Sequence, residues 1–177
     1  MLNGITIGIL LIVGMLIGAF LLTIFINLLL VPIIKTPKKV VNEIVDLMKL
    51  KKEDVFVDLG CGDGNIVLQA YANSKCKSYG LDLSPIMIVI ARTFRILRYP
   101  VNKDIVFNVE NIYEAPLEEF SKVYCYLDEK SLKILKKRFE KLIKDGGEIY
   151  SYKYKIGGLR EKKKIELSNK EYLYIYR

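Results

Sequence analysis

Read along the chain, apolar and polar residues fall into three regimes. Ile5 to Ile34 is an almost unbroken run of Ile, Leu, Val, Phe and Gly. From Thr36 the pattern becomes amphipathic: Val40, Val41, Ile44, Leu47 and Met48 recur at helical spacing between Lys, Asn, Glu and Asp. Thr36 is the expected cap of that helix, with Pro37 in its first turn. Beyond the polar connector "KLKKED", strand-like and helix-like patterns alternate. Strands are predicted at Val55–Leu59, Ser78–Leu83, Ile105–Glu110, Val123–Leu127 and Glu148–Tyr154, with a final pair at Lys164–Ser168 and Glu171–Tyr176. Helices are predicted from Asn65, over Pro85–Arg98 and over Ser131–Lys144, the last stopped by Gly146-Gly147.

Strands separated by helices imply a parallel sheet covered on both faces. The short turn Asn169-Lys170 makes the last two strands a hairpin and adds an antiparallel strand. In the helix Pro85–Arg98, Ile86, Ile90, Phe94 and Leu97 fall on one face and Arg92, Arg95 and Arg98 on another, read as solvated. In Ser131–Lys144 the inward set is Leu132, Leu135, Phe139 and Leu142. The alternating tyrosines from Tyr150 to Tyr176 read as sheet packing.

The first run changes the picture most. It exceeds the roughly 20 apolar residues that a helix needs to cross a bilayer, and it lacks the basic start of a secretory signal. Residues 1–34 are therefore expected to be a transmembrane anchor and residues 35–177 a separate domain. Lys35, Lys38 and Lys39 follow the run and no charge precedes it, which predicts a single-pass protein with its body in the cytoplasm. Gly4 with Gly8 and Gly14 with Gly18 make small-xxx-small pairs, read here as ordinary membrane-helix glycine.

Composition narrows the chemistry. Of 177 residues, 28 are Lys or Arg and 20 are Asp or Glu, a net charge of +8. There is no histidine, so the commonest side chain for acid–base work near neutral pH is missing. Cys61, Cys76 and Cys125 have no CxxC spacing, so neither a zinc site nor a disulfide framework is expected, and no metal is assigned.

The stretch "VFVDLGCGDGN" carries the candidate chemistry. A strand ending in a glycine-rich turn into a helix places free N–H groups at the edge of the sheet where ligands of open α/β folds bind. Gly60, Gly62 and Gly64 spell GxGxG, neither a phosphate loop nor a full dinucleotide fingerprint. Two acids in the loop, Asp58 and Asp63, suit a ligand bearing an ammonium or sulfonium better than a pyrophosphate. That points to S-adenosylmethionine. Asp82, in "YGLDLSP" at the end of the second strand, has the spacing expected of a ribose-hydroxyl acceptor.

Together "VFVDLGCGDGN" and "YGLDLSP" resemble the first two motifs of the seven-β-strand (class I) methyltransferases that use S-adenosylmethionine. The resemblance covers the whole body and implies a Rossmann-like, doubly wound sheet of order 3-2-1-4-5-7-6 with an antiparallel last strand. More narrowly, the apolar run, "VPIIKTPKKVVNEIVDLMKL" and "KVYCYLDEKSLKILKKRFEKLIKDGGEIYSYKYKIGG" are similar to the small protein-lysine methyltransferases. These include the archaeal broad-specificity enzyme and the membrane-anchored enzymes acting on adenine nucleotide translocase and the ATP synthase c subunit. Carried over, Asp58, Gly60 and Gly62 line the methionine end, with Cys61 among them as a small filler, and Asp82 holds the ribose. Asn111 and Ile112, in "ENIYEAPL", face the adenine; many relatives carry Asp where Asn111 stands.

For the catalytic step, Tyr126 and Asp128 follow the fourth strand where substrate should enter, as candidates to accept the proton of a lysine. The competing reading packs Tyr126 against a helix and makes Asp128 a helix cap. The expected function is methylation of protein lysines at the cytoplasmic membrane face, with a membrane protein as one candidate substrate. The alternatives are a methyltransferase for RNA, lipid or a small molecule, or a non-catalytic cofactor-binding relative. Nucleic acid is the less favoured partner, and the residues leave oligomeric state open.

Overall fold

The computed structural model describes residues 3–30 and 36–177, excluding the side chains of 25–30. The chain divides into two compact units, 1–35 and 36–177. The first holds α1 (Gly4–Leu30), within which Gly4–Ile24 is 21 residues long with a mean hydropathy of 2.8, long and apolar enough to cross a membrane. The end of the expected apolar run, residues 31–34, lies outside the described residues.

The second unit begins with α2 (Lys38–Met48). Val40, Val41, Ile44, Val45 and Met48 are buried along its inner face, each such side chain contributing about 1.5–3 kcal/mol. Thr36 is not its cap. Pro37 occupies that position, its ψ of 141° being extended rather than helical, so the first helical residue is Lys38; a proline side chain has no oxygen to make a cap bond.

There follow β1 (Val55–Leu59), α3 (Asn65–Ser74), β2 (Lys77–Asp82), α4 (Pro85–Arg98), β3 (Ile105–Val109), a 3-10 turn (Leu117–Glu119), β4 (Lys122–Cys125), α5 (Glu129–Lys144), β5 (Glu148–Tyr152), β6 (Lys163–Glu166) and β7 (Tyr172–Tyr176). The seven strands form one sheet of order β3-β2-β1-β4-β5-β7-β6, the order the resemblance implies. The first five are mutually parallel, and β7 runs antiparallel to both β5 and β6. The expected hairpin is present, its turn closed by a bond from Lys170 N to Leu167 O at 2.8 Å.

Strand alternation sorts side chains into two cores. Phe56, Phe107, Tyr124, Tyr150 and Tyr152 face one side, beneath α2, α3 and α4. Val57, Leu59, Val123, Cys125 and Ile149 face the other, beneath α5. Tyr150 also ties α2 to the sheet, its hydroxyl donating to Met48 O at 3.0 Å.

The buried face of α4 is Met87, Ile88 and Ala91, whereas Leu97 is 75% exposed. The helix is apolar on two faces, so periodicity alone could not choose between them. One expectation about α4, that of its arginine face, is corrected. That face is not merely solvated: Arg92 donates to Phe107 O at 2.6 and 2.9 Å, and Arg95 to Asn102 O at 2.7 Å. β5 also stops two residues early, at Tyr152, because Lys153 adopts a left-handed φ of 70°.

Candidate active site

The loop from β1 to α3 turns through three glycines with positive φ, Gly60, Gly62 and Gly64. Two of them show why. At Gly64 a Cβ would lie 2.6 Å from the Phe107 ring, whereas at Gly62 no atom lies within 4 Å of that position. One glycine is enforced by packing from below, and the other leaves open space at the rim. The loop is fastened to β2 by backbone: Gly60 N and Cys61 N both donate to Leu81 O, at 2.8 and 3.0 Å.

Asp82 joins the two loops at this edge. One carboxylate oxygen accepts from Gly62 N at 2.9 Å and the other from Ser84 N at 2.8 Å. Ser84 in turn caps α4, its hydroxyl accepting from Met87 N. Each oxygen keeps a lone pair for a further donor, as a carboxylate has about four acceptor sites.

Asp58 is 3% exposed. It lies in register with Gly80 on β2 and Tyr124 on β4. Burial, then the neighbouring charges of Asp82 and Asp63, push its carboxyl well above the usual range. Such a carboxyl favours a cation beside it. Asp63 accepts from the Asn65 side chain at 2.8 Å and so helps start α3. Cys61 is buried and its thiol is pushed up by burial and by Asp58. It is therefore a neutral filler; its sulfur lies 2.8 Å from where a Cβ on Gly80 would be.

Asn111 and Ile112 follow β3. The Asn111 side chain is engaged within its own loop, accepting from Tyr113 N at 3.2 Å and donating to Glu114 at 2.8 Å. Ile112 is half-buried against the α5-side core. Leu83 and Val109, which the motif reading passed over, are exposed at the ends of β2 and β3. Their only sequence signal is an apolar residue just past each strand's last polar one.

After β4, Tyr126 is half-buried in a group of rings. It meets Tyr152 edge-on at 4.9 Å and stacks on Tyr154 at 6.4 Å. Lys153 lies over Tyr154 at 5.9 Å and pairs with Glu171 at 2.9 Å. Burial raises the Tyr126 phenol, opposed by the Lys153 charge. Asp128 is exposed and caps α5, accepting from Ser131 N at 2.7 Å, and these bonds hold its carboxyl low. Cofactor and catalytic candidates thus all lie at the carboxyl ends of β1, β2, β3 and β4 or on the loops that follow them, Asp58 and Asp82 being strand residues themselves. The structure adds Tyr124, whose buried hydroxyl has no hydrogen-bond partner among the described residues, and Phe107, whose ring fills the space beside Gly64 and Gly80. Among the described residues no cluster of metal-ligating side chains occurs.

Residues 58–163 match the ANTKMT methyltransferase domain. The chain belongs to this family. It is similar to a protein-lysine N-methyltransferase of Saccharolobus islandicus, with 28% identity over 151 residues, spanning 82% of this chain and 93% of that protein. Among solved structures it is similar to an RNA methyltransferase from Salinibacter ruber in complex with S-adenosylhomocysteine. The TM-score is 0.72 and the identity 25%, over 81% of this chain and 92% of that one. An S-adenosylmethionine-dependent methyltransferase from Thiobacillus denitrificans shares the fold with a TM-score of 0.54 and 19% identity, over 66% of this chain and 48% of that one. The chain is an S-adenosylmethionine-dependent methyltransferase.

Proposed function

We propose that the protein methylates lysine side chains of proteins at a membrane face, anchored through Gly4–Ile24. Asp58 is the observation that carries the cofactor site. A buried carboxyl next to an open glycine turn suits the ammonium and sulfonium of S-adenosylmethionine and would repel a pyrophosphate. Asp82 holds the ribose hydroxyls while keeping Gly62 in place, and Leu83, Val109 and Ile112 supply apolar contact for the adenine. When bound, the cofactor supplies a methyl group activated by a positive sulfur.

At the other end, the half-buried Tyr126 and Tyr154, backed by the buried Tyr152, offer aromatic faces, which attract ammonium and methylammonium groups. A lysine side chain has a reference pKa of about 10.4 and must shed a proton before it can attack. The raised Tyr126 stays a phenol near neutral pH, and Asp128, held low by its cap bonds, is a weak base. Neither is the final proton acceptor. Tyr126 orients the amine through its ring and hydroxyl, Asp128 draws the incoming cation, and the proton leaves to water. The aromatic wall and the Saccharolobus islandicus relative favour lysine. The anchor raises the enzyme's local concentration at membrane-borne targets, and the three lysines after the apolar run favour a cytoplasmic body.

RNA is the second reading, favoured by the Salinibacter ruber neighbour and by the exposed lysines of α5. Incubation of the full chain with membrane extract and methyl-labelled cofactor separates the two. Label released by protease and recovered as methyllysine supports the first reading; label released by nuclease or extracted with lipid overturns it.

A further inference from the structure

Turned away from the core, α4 carries a second apolar face. Val89 is 62%, Ile96 52% and Leu97 75% exposed, and Val101, just past the helix, is 87% exposed. Val89 and Ile96 are seven residues, two turns, apart on one side of the helix, with Arg92 and Thr93 exposed between them; Leu97 adjoins Ile96, and Val101 follows in the chain just past the helix end. The helix holds three arginines and no acid. Arg92 and Arg95 are positioned by bonds to backbone carbonyls, which leave their charge in place, and Arg98 and Lys103 are exposed beside the ridge.

An exposed apolar ridge with a basic border has the make-up of an interfacial helix, which sinks its apolar face to the headgroup–acyl boundary and draws anionic headgroups to its flanks. We propose that α4 lies against an anionic lipid surface and sets the orientation of the methyltransferase body on the bilayer. This inference rests on reading Gly4–Ile24 as a membrane span. A second copy fits the ridge less well, because packing α4 on itself would collect six arginines with no carboxylate on either helix to offset them. α5 is the contrasting surface: Lys130, Lys133, Lys137, Lys141 and Lys144 are exposed there, but Glu129 and Glu140 interrupt them and Ile134 is its one exposed large apolar side chain. It has charge without a ridge to insert.

The test uses the full chain in lipid nanodiscs, one copy per disc, with phosphatidylcholine alone or mixed with phosphatidylglycerol. Cys61, Cys76 and Cys125 are all buried, so a dye will react with a cysteine introduced by Leu97→Cys on α4 or Lys137→Cys on α5. Lipids spin-labelled at the headgroup should quench the dye at position 97 several-fold more than at 137. The quenching should strengthen with phosphatidylglycerol and weaken when Arg98→Glu is added. Equal quenching at both positions, quenching at 137 alone, or quenching at 97 that needs two copies per disc would overturn the proposal. No quenching at 97 in a chain that enters the discs would also overturn it. Failure of the chain to enter discs at all would instead defeat the anchor.

Discussion

At the ends of β1 and β2 the crevice is made of backbone, whereas at the ends of β4 and β5 it is made of rings. The first half consists of a triple-glycine turn, N–H groups tied to Leu81 O and one carboxylate bridging two loops. The second consists of Tyr126, Tyr152 and Tyr154 packed edge-on and stacked. A backbone-built half resists a side chain where the turn takes positive φ, and most of all where a ring already fills the space. A ring-built half can change its surface by one substituent at little cost to folding. The common ligand is therefore recognised by geometry and the acceptor by surface chemistry.

The largest effect that would sharpen this contrast is Gly64→Ala. Its Cβ would meet the Phe107 ring at 2.6 Å in a turn of φ +79°, and overpacking plus backbone strain should cost roughly 2–4 kcal/mol in urea unfolding. Gly62→Ala, with open space around it, should cost only about 1 kcal/mol of stability but should weaken cofactor binding. In the ring half, Tyr154→Phe should stay within about 0.5 kcal/mol of the parent. If Gly64→Ala were as mild as Tyr154→Phe, the distinction between the halves would collapse.

Next comes Asp82. Its oxygens hold Gly62 N and Ser84 N, and hydrogen bonds to a charged group are worth about 1.5–3 kcal/mol. Asp82→Ala should therefore raise the cofactor Kd on the order of 10- to 100-fold by calorimetry. Asp82→Asn, which keeps one acceptor, should lose less. Unchanged affinity in the alanine variant would remove Asp82 from the cofactor site.

Asp58 gives a pH signature. Its carboxyl is raised in the folded state, so the native protein binds a proton that the unfolded chain has already lost. Stability of the ligand-free protein should then fall as pH rises from the ordinary carboxylate value through the raised one, and Asp58→Asn should flatten that slope. A cationic ligand prefers the ionised form, so cofactor affinity should rise over the same window with release of a proton, seen as a buffer-dependent heat. Affinity independent of pH would place the cation elsewhere.

Much of this was legible in the residues. β1 and α4 begin and end where periodicity, Ser84-Pro85 and the glycines place them. The hairpin is present, although its loop is three residues, Ser168 to Lys170, rather than the two expected, because Leu167 pairs with Glu171 and Lys170 is left-handed. The places of Gly60, Gly62 and Gly64 were readable because the turn takes positive φ there, and those of Asp58 and Asp82 because each stands near the carboxyl end of a predicted strand. What periodicity could not show depends on register or on two-faced elements. Phe107 lies opposite Gly80 only because β2 and β3 align so, and the outward ridge of α4 looks in sequence like a core face. Asp128 carried both readings, and its cap bond to Ser131 is what the structure shows.

The smallest effect tests the seam between the halves. Tyr124, on β4 and in register with Asp58, places its hydroxyl in the core with no hydrogen-bond partner among the described residues. A buried polar group left unpaired costs free energy, and burial, with the nearby Asp58 charge second, drives its ionisation far out of reach. Tyr124→Phe removes that hydroxyl while keeping the ring, so the ligand-free protein should gain about 0.5–1 kcal/mol and melt higher. If the same variant also binds cofactor more weakly, the hydroxyl serves the Asp58 end of the site and its cost to folding is the trace of that service. A lower melting temperature would mean instead that the phenol has a partner within the fold, such as a buried water. Tyr124 would then belong with the scaffold rather than with either half of the crevice.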